Sequence, residues 1–167
     1  MPEEETLQRA REDAREGKSP STLAGEFVKE EMDHIREGKH GARSPQQAIA
    51  IGLSKARRAG VKLSPPKKGS TSEATRTKAA RDERQGQSTS RKKTSAKRSR
   101  VVSEALKREG KDAASHAALS RQAQRTASQR GSASRKQAAA KAVRTKGVAG
   151  RSEAAQKAAR TRARRAA

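Results

Sequence analysis

The sequence predicts an all-α protein with a small head of three helices and a long, largely disordered tail that contains short helical segments. Large apolar residues at helical spacing are concentrated before residue 64. Ser, Pro and Gly stand where helices begin and end. Charge divides at the same place, because residues 1–63 hold 12 Lys or Arg against 11 Asp or Glu, whereas residues 64–167 hold 29 against 7.

The first predicted helix begins at Pro2 and the acidic run that follows it. Proline suits the first turn of a helix, and carboxylates there face the positive end of the helix dipole. The helix should run to about Glu16 and stop at Gly17. Its one large apolar residue is Leu7, so we expect a weakly docked arm rather than a core element.

The second helix is predicted from residue 23 to a stop at Gly38, with a hydroxyl among residues 19–22 as its cap. Glu30 and Glu31 are expected on the opposite, solvated face. Five large apolar residues form a single stripe at helical period: Leu23, Phe27, Val28, Met32 and Ile35.

The third helix carries clear signals at both ends. Ser44-Pro45-Gln46-Gln47 fits a capping box with proline at the first helical position. Gly60 can end the helix, with Val61 folding back on Ala56. One face carries Ile49, Gly52, Leu53 and Ala56, and the last turn carries Lys55, Arg57 and Arg58.

The second and third helices permit two interpretations. A basic final turn suggests a helix-turn-helix motif, in which the third helix would contact DNA. The connection from Gly38 to Arg43 is longer than the 3–4 residues usual for that motif. A plain helical hairpin is therefore favoured.

Ser64-Pro65-Pro66-Lys67-Lys68-Gly69 interrupts helix formation, so we predict a head over residues 1–63, a linker over 64–70 and a basic low-complexity tail over 71–167. The tail has too few large apolar residues to offset a backbone entropy cost of roughly 1–2 kcal/mol per residue. Short Ala-rich helices are expected near residues 101–110, 112–130, 134–146 and 152–165. The last two resemble repeats offset by 16 residues.

No residue constellation indicates a reaction, so the chain is predicted not to be an enzyme and to need no cofactor. It has no cysteine and three histidines, His34, His40 and His116. His34 and His40 are six residues apart across a glycine turn, which is a poor metal spacing. No metal site is predicted.

Nucleic acid is the predicted partner, because Lys and Arg neutralise phosphates and release counterions. Duplex DNA is favoured over RNA because Phe27, the single aromatic residue, cannot provide a base-stacking platform. An RNA- or ribosome-associated protein and a module for an acidic protein are the alternatives, and no feature specifies a protein partner of the head. The candidate phosphate-binding residues are Lys55, Arg57, Arg58, Lys67, Lys68, Arg91, Lys92, Lys93, Lys97, Arg98, Arg100, Arg135, Lys136, Lys141, Arg144, Lys146, Arg160, Arg162, Arg164 and Arg165.

The N-terminus is acidic where a signal peptide is basic, and no run approaches the ~20 apolar residues of a membrane span. We therefore expect a cytoplasmic protein with no membrane partner.

Two resemblances accompany these patterns. The region from Ser19 to Gly60, especially AGEFVKEEMDHIREGKHGARSPQQAIAIGLSKARRAG, resembles a family of short bacterial proteins of uncharacterised function that join such a head to a basic tail. The tail resembles those of linker histones and bacterial histone-like proteins, and Ser64-Pro65-Pro66-Lys67-Lys68 is similar to their S-P-K-K element. The resemblance of the head implies a bacterial source and supplies no activity, and a nucleoid-associated location is expected from the predicted DNA binding.

Overall fold

The computed structural model describes residues 2–88 and 95–166, and side chains among these up to residue 164. These ranges contain α-helices and one 3₁₀ turn, Asp112–Ala114, and no strand. The helices are α1 (Glu4–Arg15), α2 (Pro20–Glu37), α3 (Pro45–Arg58), α4 (Glu73–Gln87), α5 (Ala96–Lys107), α6 (His116–Gln129) and α7 (Ser132–Ala166).

The prediction of a long, largely disordered tail is wrong, because α4 to α7 make most of the described tail helical. By packing, the chain forms one compact unit of residues 1–122 and a second of residues 123–167. Packing and composition thus divide the chain at different places, and the compositional boundaries at residues 63 and 70 stay a prediction. Helix α4 was not anticipated, although Ser72 caps it by accepting a bond from Thr75 N at 3.3 Å.

The three head helices end at the predicted glycines. Gly17, Gly38 and Gly60 all have positive φ, which is the left-handed conformation that suits glycine. After α3, Val61 N donates to Ala56 O at 3.1 Å and Gly60 N donates to Arg57 O at 3.0 Å. This pair of bonds is a Schellman motif, as the sequence predicted.

The start of α3 is also confirmed. Ser44 Oγ accepts a bond from Gln47 N at 3.2 Å. The Gln47 side chain reaches back as predicted, but it accepts from Arg43 N at 2.9 Å, one residue before the cap. The Ser44 bond satisfies a backbone donor that the first turn leaves free, and the Gln47 bond ties the residue before the cap to the helix.

Helices α2 and α3 form the favoured hairpin. One apolar cluster joins Met32 and Ile35, late in α2, to Ala48, early in α3. A second joins Phe27, early in α2, to Ala56, late in α3. The helices therefore run antiparallel, and an added Cβ at Gly52 would lie 2.7 Å from Val28 Cα, which marks how closely their backbones approach.

Helix α1 belongs to the core, contrary to the prediction of a weakly docked arm. Thr6 and Ala10 are buried, and Ala10 joins the second cluster. Arg9 Nε donates to Glu26 Oε2 at 2.8 Å, which links α1 to α2. The prediction counted only Leu7 and so missed the contribution of small side chains.

Two segments beyond residue 63 pack on the hairpin. Asp82 of α4 is buried and accepts from Ser54 Oγ of α3 at 2.5 Å. The chain between α5 and α6 covers the α2–α3 loop, since Gly41 N donates to Leu106 O at 2.9 Å and Ala113 is buried in the first cluster. A buried side-chain hydrogen bond, backbone hydrogen bonds and alanine contacts thus hold segments that lack large apolar residues.

Helix α7 has the composition of a solvated helix. Gly147 interrupts it with non-helical backbone angles at φ 63°, between the two Ala-rich runs that the sequence predicts there. Nearly all its side chains up to residue 164 are exposed. Among the described helices, none is both long and apolar enough for a membrane span.

Candidate nucleic-acid interface

The predicted phosphate-binding residues divide by position into a group with partners inside the first unit, an exposed group and a group outside the described residues. The first lies at the end of α3 in contact with acidic or carbonyl groups. The second lies along the linker, α5 and α7. Arg91, Lys92 and Lys93 make up the third.

The Lys55 ammonium group pairs with buried carboxylates inside the first unit. Its Nζ lies 2.7 Å from Glu31 Oε2 and donates to Glu30 Oε1 at 3.2 Å. Glu30 and Glu31 are 4% and 0% exposed, so the prediction of a solvated acidic face on α2 is wrong. The lysine neutralises buried carboxylates, which leaves its charge little use for an external phosphate.

Arg57 and Arg58 also face inward partners. Arg57 is 7% exposed and its Nε donates to Leu63 O at 3.0 Å. Burial lowers the pKa of Arg57, against the opposing effect of nearby Asp82. Arg58 is more exposed, and its Nε donates to Ser54 O at 3.3 Å. The basic end of α3 therefore makes hydrogen bonds within the fold, while the Arg58 side chain stays exposed.

Other head cations are neutralised within the head as well. Hydrogen bonds from Lys39 and then His34 lower the pKa of Glu3 to about 2. Hydrogen bonds to Asp13 and Glu16 raise the pKa of Lys18. The near-neutral composition of the head is thus matched by pairing in space.

The linker and α5 expose their candidate cations. They are Lys67, Lys68, Lys97, Arg98 and Arg100. The α5 cations stand in the first turns of their helix, where positive charge opposes the helix dipole and so lowers the stability of the helix.

Helix α7 presents the largest exposed set of candidate cations. The helix holds eleven Lys or Arg against one acid, Glu153. Within the described ranges, every ion pair lies before residue 110, so none involves α7. The exposed candidates are Arg135, Lys136, Lys141, Arg144, Lys146, Arg160, Arg162 and Arg164, while the Arg165 side chain lies outside the described ones.

The two halves of α7 place cations equivalently. An offset of 16 residues relates Arg135 to Arg151, Lys141 to Lys157, Arg144 to Arg160 and Lys146 to Arg162. The repeat extends to hydrogen bonding, since Thr145 Oγ1 donates to Lys141 O and Thr161 Oγ1 to Lys157 O, both at 2.9 Å. Within each half the first two arginines are nine residues apart, about two and a half turns, and so lie on opposite faces.

Sequence reasoning missed a polar cluster at the end of α2, separate from the candidate phosphate-binding residues. Glu31, His34 and His40 each place a potential ligand atom within 4.8 Å of the others. The left-handed Gly38 turns the chain back so that His40 returns toward α2. The six-residue spacing was judged poor because a glycine turn separates the histidines, yet this turn brings them together. The signal available in the sequence was the three-residue spacing of Glu31 and His34 on one helix face.

Comparison with known proteins bears on the head. Residues 19–68 match a family of unknown function, DUF6496. The matched segment covers under a third of the chain, runs from the cap of α2 to the linker lysines, and contains both Lys55 and the Glu31–His34–His40 cluster. No curated protein and no solved structure matches the chain. The head thus resembles an uncharacterised family as predicted, whereas the likeness of the tail to histone tails stays a prediction.

Proposed function

We propose that this chain binds nucleic acid without sequence specificity, duplex DNA in preference to RNA, through the exposed cations of α7. The observation that carries the proposal is that these exposed cations have no acidic partner among the described residues, unlike Lys55 of the head. Each bound phosphate would supply the missing counter-charge and release condensed ions. A nucleoid-associated, histone-like role in a bacterial cytoplasm follows as part of the proposal.

The distribution of charge around α7 favours a duplex groove. Arg135 and Arg144 lie on opposite faces, as do Arg151 and Arg160, so cations can meet phosphates on both walls. The major groove of B-DNA, about 12 Å wide, admits an α-helix, whereas that of A-form RNA is too narrow. A membrane-bound helix would instead need an apolar face, which α7 lacks.

The proposed binding does not read sequence. Exposed Lys and Arg at regular spacing contact phosphates, which occur at every base pair. Scrambled duplexes of equal length should therefore bind within a few-fold of one another. A site preferred by about 10³ or more, as specific binders show, would contradict this part of the proposal.

The test compares two variants of the full chain that lose equal charge. One carries Arg144→Gln, Lys146→Gln, Arg160→Gln and Arg162→Gln in α7. The control carries Arg11→Gln, Arg15→Gln, Lys29→Gln and Lys62→Gln on the exposed surface of the head. Duplex affinity is measured by fluorescence anisotropy at several salt concentrations.

The α7 variant should bind more weakly, with a slope of log K against log salt shallower by about 3 to 4. The control should keep the slope of the natural chain. Equal losses in both variants would show that net charge alone sets affinity and would reject α7 as the interface. Tighter binding of structured RNA at matched salt would reassign the ligand to RNA, and equal competition by polyglutamate would favour an acidic protein.

A further inference from the structure

We propose that Glu31, His34 and His40 form a Zn²⁺ site at the junction of α2 and the α2–α3 loop. Their potential ligand atoms lie within 4.8 Å of one another, so one ion can reach all of them after small side-chain movements. Two imidazoles and one carboxylate form a ligand set that zinc binds in proteins, with a water as fourth ligand. The inference is independent of nucleic-acid binding.

The burial of Glu31 supports a cation ligand. Glu31 is fully buried, and neither carboxylate oxygen accepts a hydrogen bond within the described part of the chain. Lys55 Nζ forms an ion pair with Oε2 at 2.7 Å, so Oε1 is the carboxylate oxygen that has no lysine beside it. A buried carboxylate oxygen without a hydrogen-bond partner is costly, and coordination of a cation by Oε1 would lower that cost.

His40 is oriented as a ligand. Its Nε2 lies 3.3 Å from Glu31 Oε1. Two ligand atoms about 2.0 Å from a tetrahedral zinc are separated by about 3.3 Å, so this pair already has the required spacing. His40 Nδ1 lies 3.1 Å from Gly41 O, and a bond donated there leaves the Nε2 lone pair free for the ion.

The surroundings limit the number of protein ligands. Lys55 occupies the space beside Oε2 of Glu31, so the carboxylate can bind an ion through Oε1 alone. His34 Nε2 contacts Glu3 Oε1 at 2.8 Å, which fixes the imidazole ring by a carboxylate, as is common around zinc. A low coordination number with nitrogen ligands favours zinc over Mg²⁺ or Ca²⁺, which take six or more oxygens.

The test measures zinc binding by the tag-free full chain in competition with a chromogenic chelator of roughly 1 µM affinity. We expect one zinc per chain. The ligand variants are His34→Gln and His40→Gln, and His116→Gln is the control because His116 is an exposed histidine on α6. Circular dichroism without metal confirms that each variant keeps its helices.

Each ligand variant should bind zinc at least ten-fold more weakly, since even residues outside the coordination shell change metal affinity 10–100-fold. The His116→Gln chain should bind like the natural chain, and zinc should raise the Tm of both. Equal affinity in the His40→Gln and natural chains would overturn the site. Failure of the natural chain to compete with the chelator would overturn it as well.

Discussion

Lys55 and Arg160 are both cations on helices, but they differ in ion pairing and in exposure. Lys55 lies between two buried carboxylates, and its charge balances theirs within the fold. Arg160 is exposed on a helix whose cations form no ion pair among the described residues. Composition assigns both to a polycation, whereas the structure separates a charge used in folding from one that is free to bind. The number of cations available to a ligand is therefore smaller than the sequence count.

The largest expected effect comes from removing the second unit. A chain of residues 1–122 loses 13 Lys or Arg against one acid and should bind duplex DNA at least ~100-fold more weakly near 0.1 M salt. Anisotropy measures the affinity, and circular dichroism checks that the shortened chain is helical. Retention of most of the affinity by a folded shortened chain would place the interface in the first unit.

A pair of single substitutions should separate the two uses of charge. Lys55→Gln leaves Glu30 and Glu31 without their cation and should lower the free energy of unfolding by about 3 kcal/mol. Arg160→Gln should change it by less than about 0.5 kcal/mol while weakening duplex binding. Chemical denaturation and anisotropy on both variants check this. A large loss of stability in Arg160→Gln together with an unchanged stability in Lys55→Gln would contradict the distinction between the two regions.

The docking of α4 can be disrupted without changing charge. An added Cβ at Gly86 would meet the Arg57 carbonyl oxygen, so Gly86→Ala should force α4 from α3 and lower stability by about 2 kcal/mol. Gly25→Ala is the matched control, since its Cβ meets nothing within 4 Å and α2 should gain up to about 1 kcal/mol in helix propensity. Thermal unfolding measures both changes, and a neutral Gly86→Ala would show that α4 does not need this close approach.

The smallest expected effect concerns the cap of the helix that carries Lys55. Ser44→Ala removes the bond to Gln47 N and should lower the free energy of unfolding by about 1 kcal/mol. Ser19 precedes α2 without a side-chain cap bond, so Ser19→Ala should have a smaller effect. Urea denaturation compares the two variants. Equal losses would mean that the Ser44 bond contributes nothing specific.

Local signals predicted the head well because they act over a few residues. The Ser44 cap, the Gly60 stop and the apolar stripe containing Phe27 all lie within their own helices. Residues that meet only after folding escaped prediction, and Ala113 packing on α2 is an example, because alanine carries no strong sequence signal of burial. For the same reason, no spacing rule revealed that Lys55 faces Glu31 across a helix pair.

The candidate interface was predicted in part. Its clusters were identified by charge density, and α7 exposes the members described in its two halves. Lys55 and Arg57 were included because they share the same chemistry, but exposure depends on tertiary packing, which their local sequence does not specify. The proximity of Glu31, His34 and His40 was not predicted, because linear spacing ignores the reversal that Gly38 permits.

In the proposed complex with DNA, Gly147 would divide the charge of α7 into two tethered binding segments. The segments before and after it are about 22 Å and 28 Å long, and each carries the same four-cation pattern. When one segment leaves the DNA, the other keeps it at high effective concentration, so rebinding competes with escape. A second duplex can capture the released segment first. The proposed complex would therefore combine avidity with rapid exchange between duplexes. The half-life of the complex should shorten as competing DNA is added.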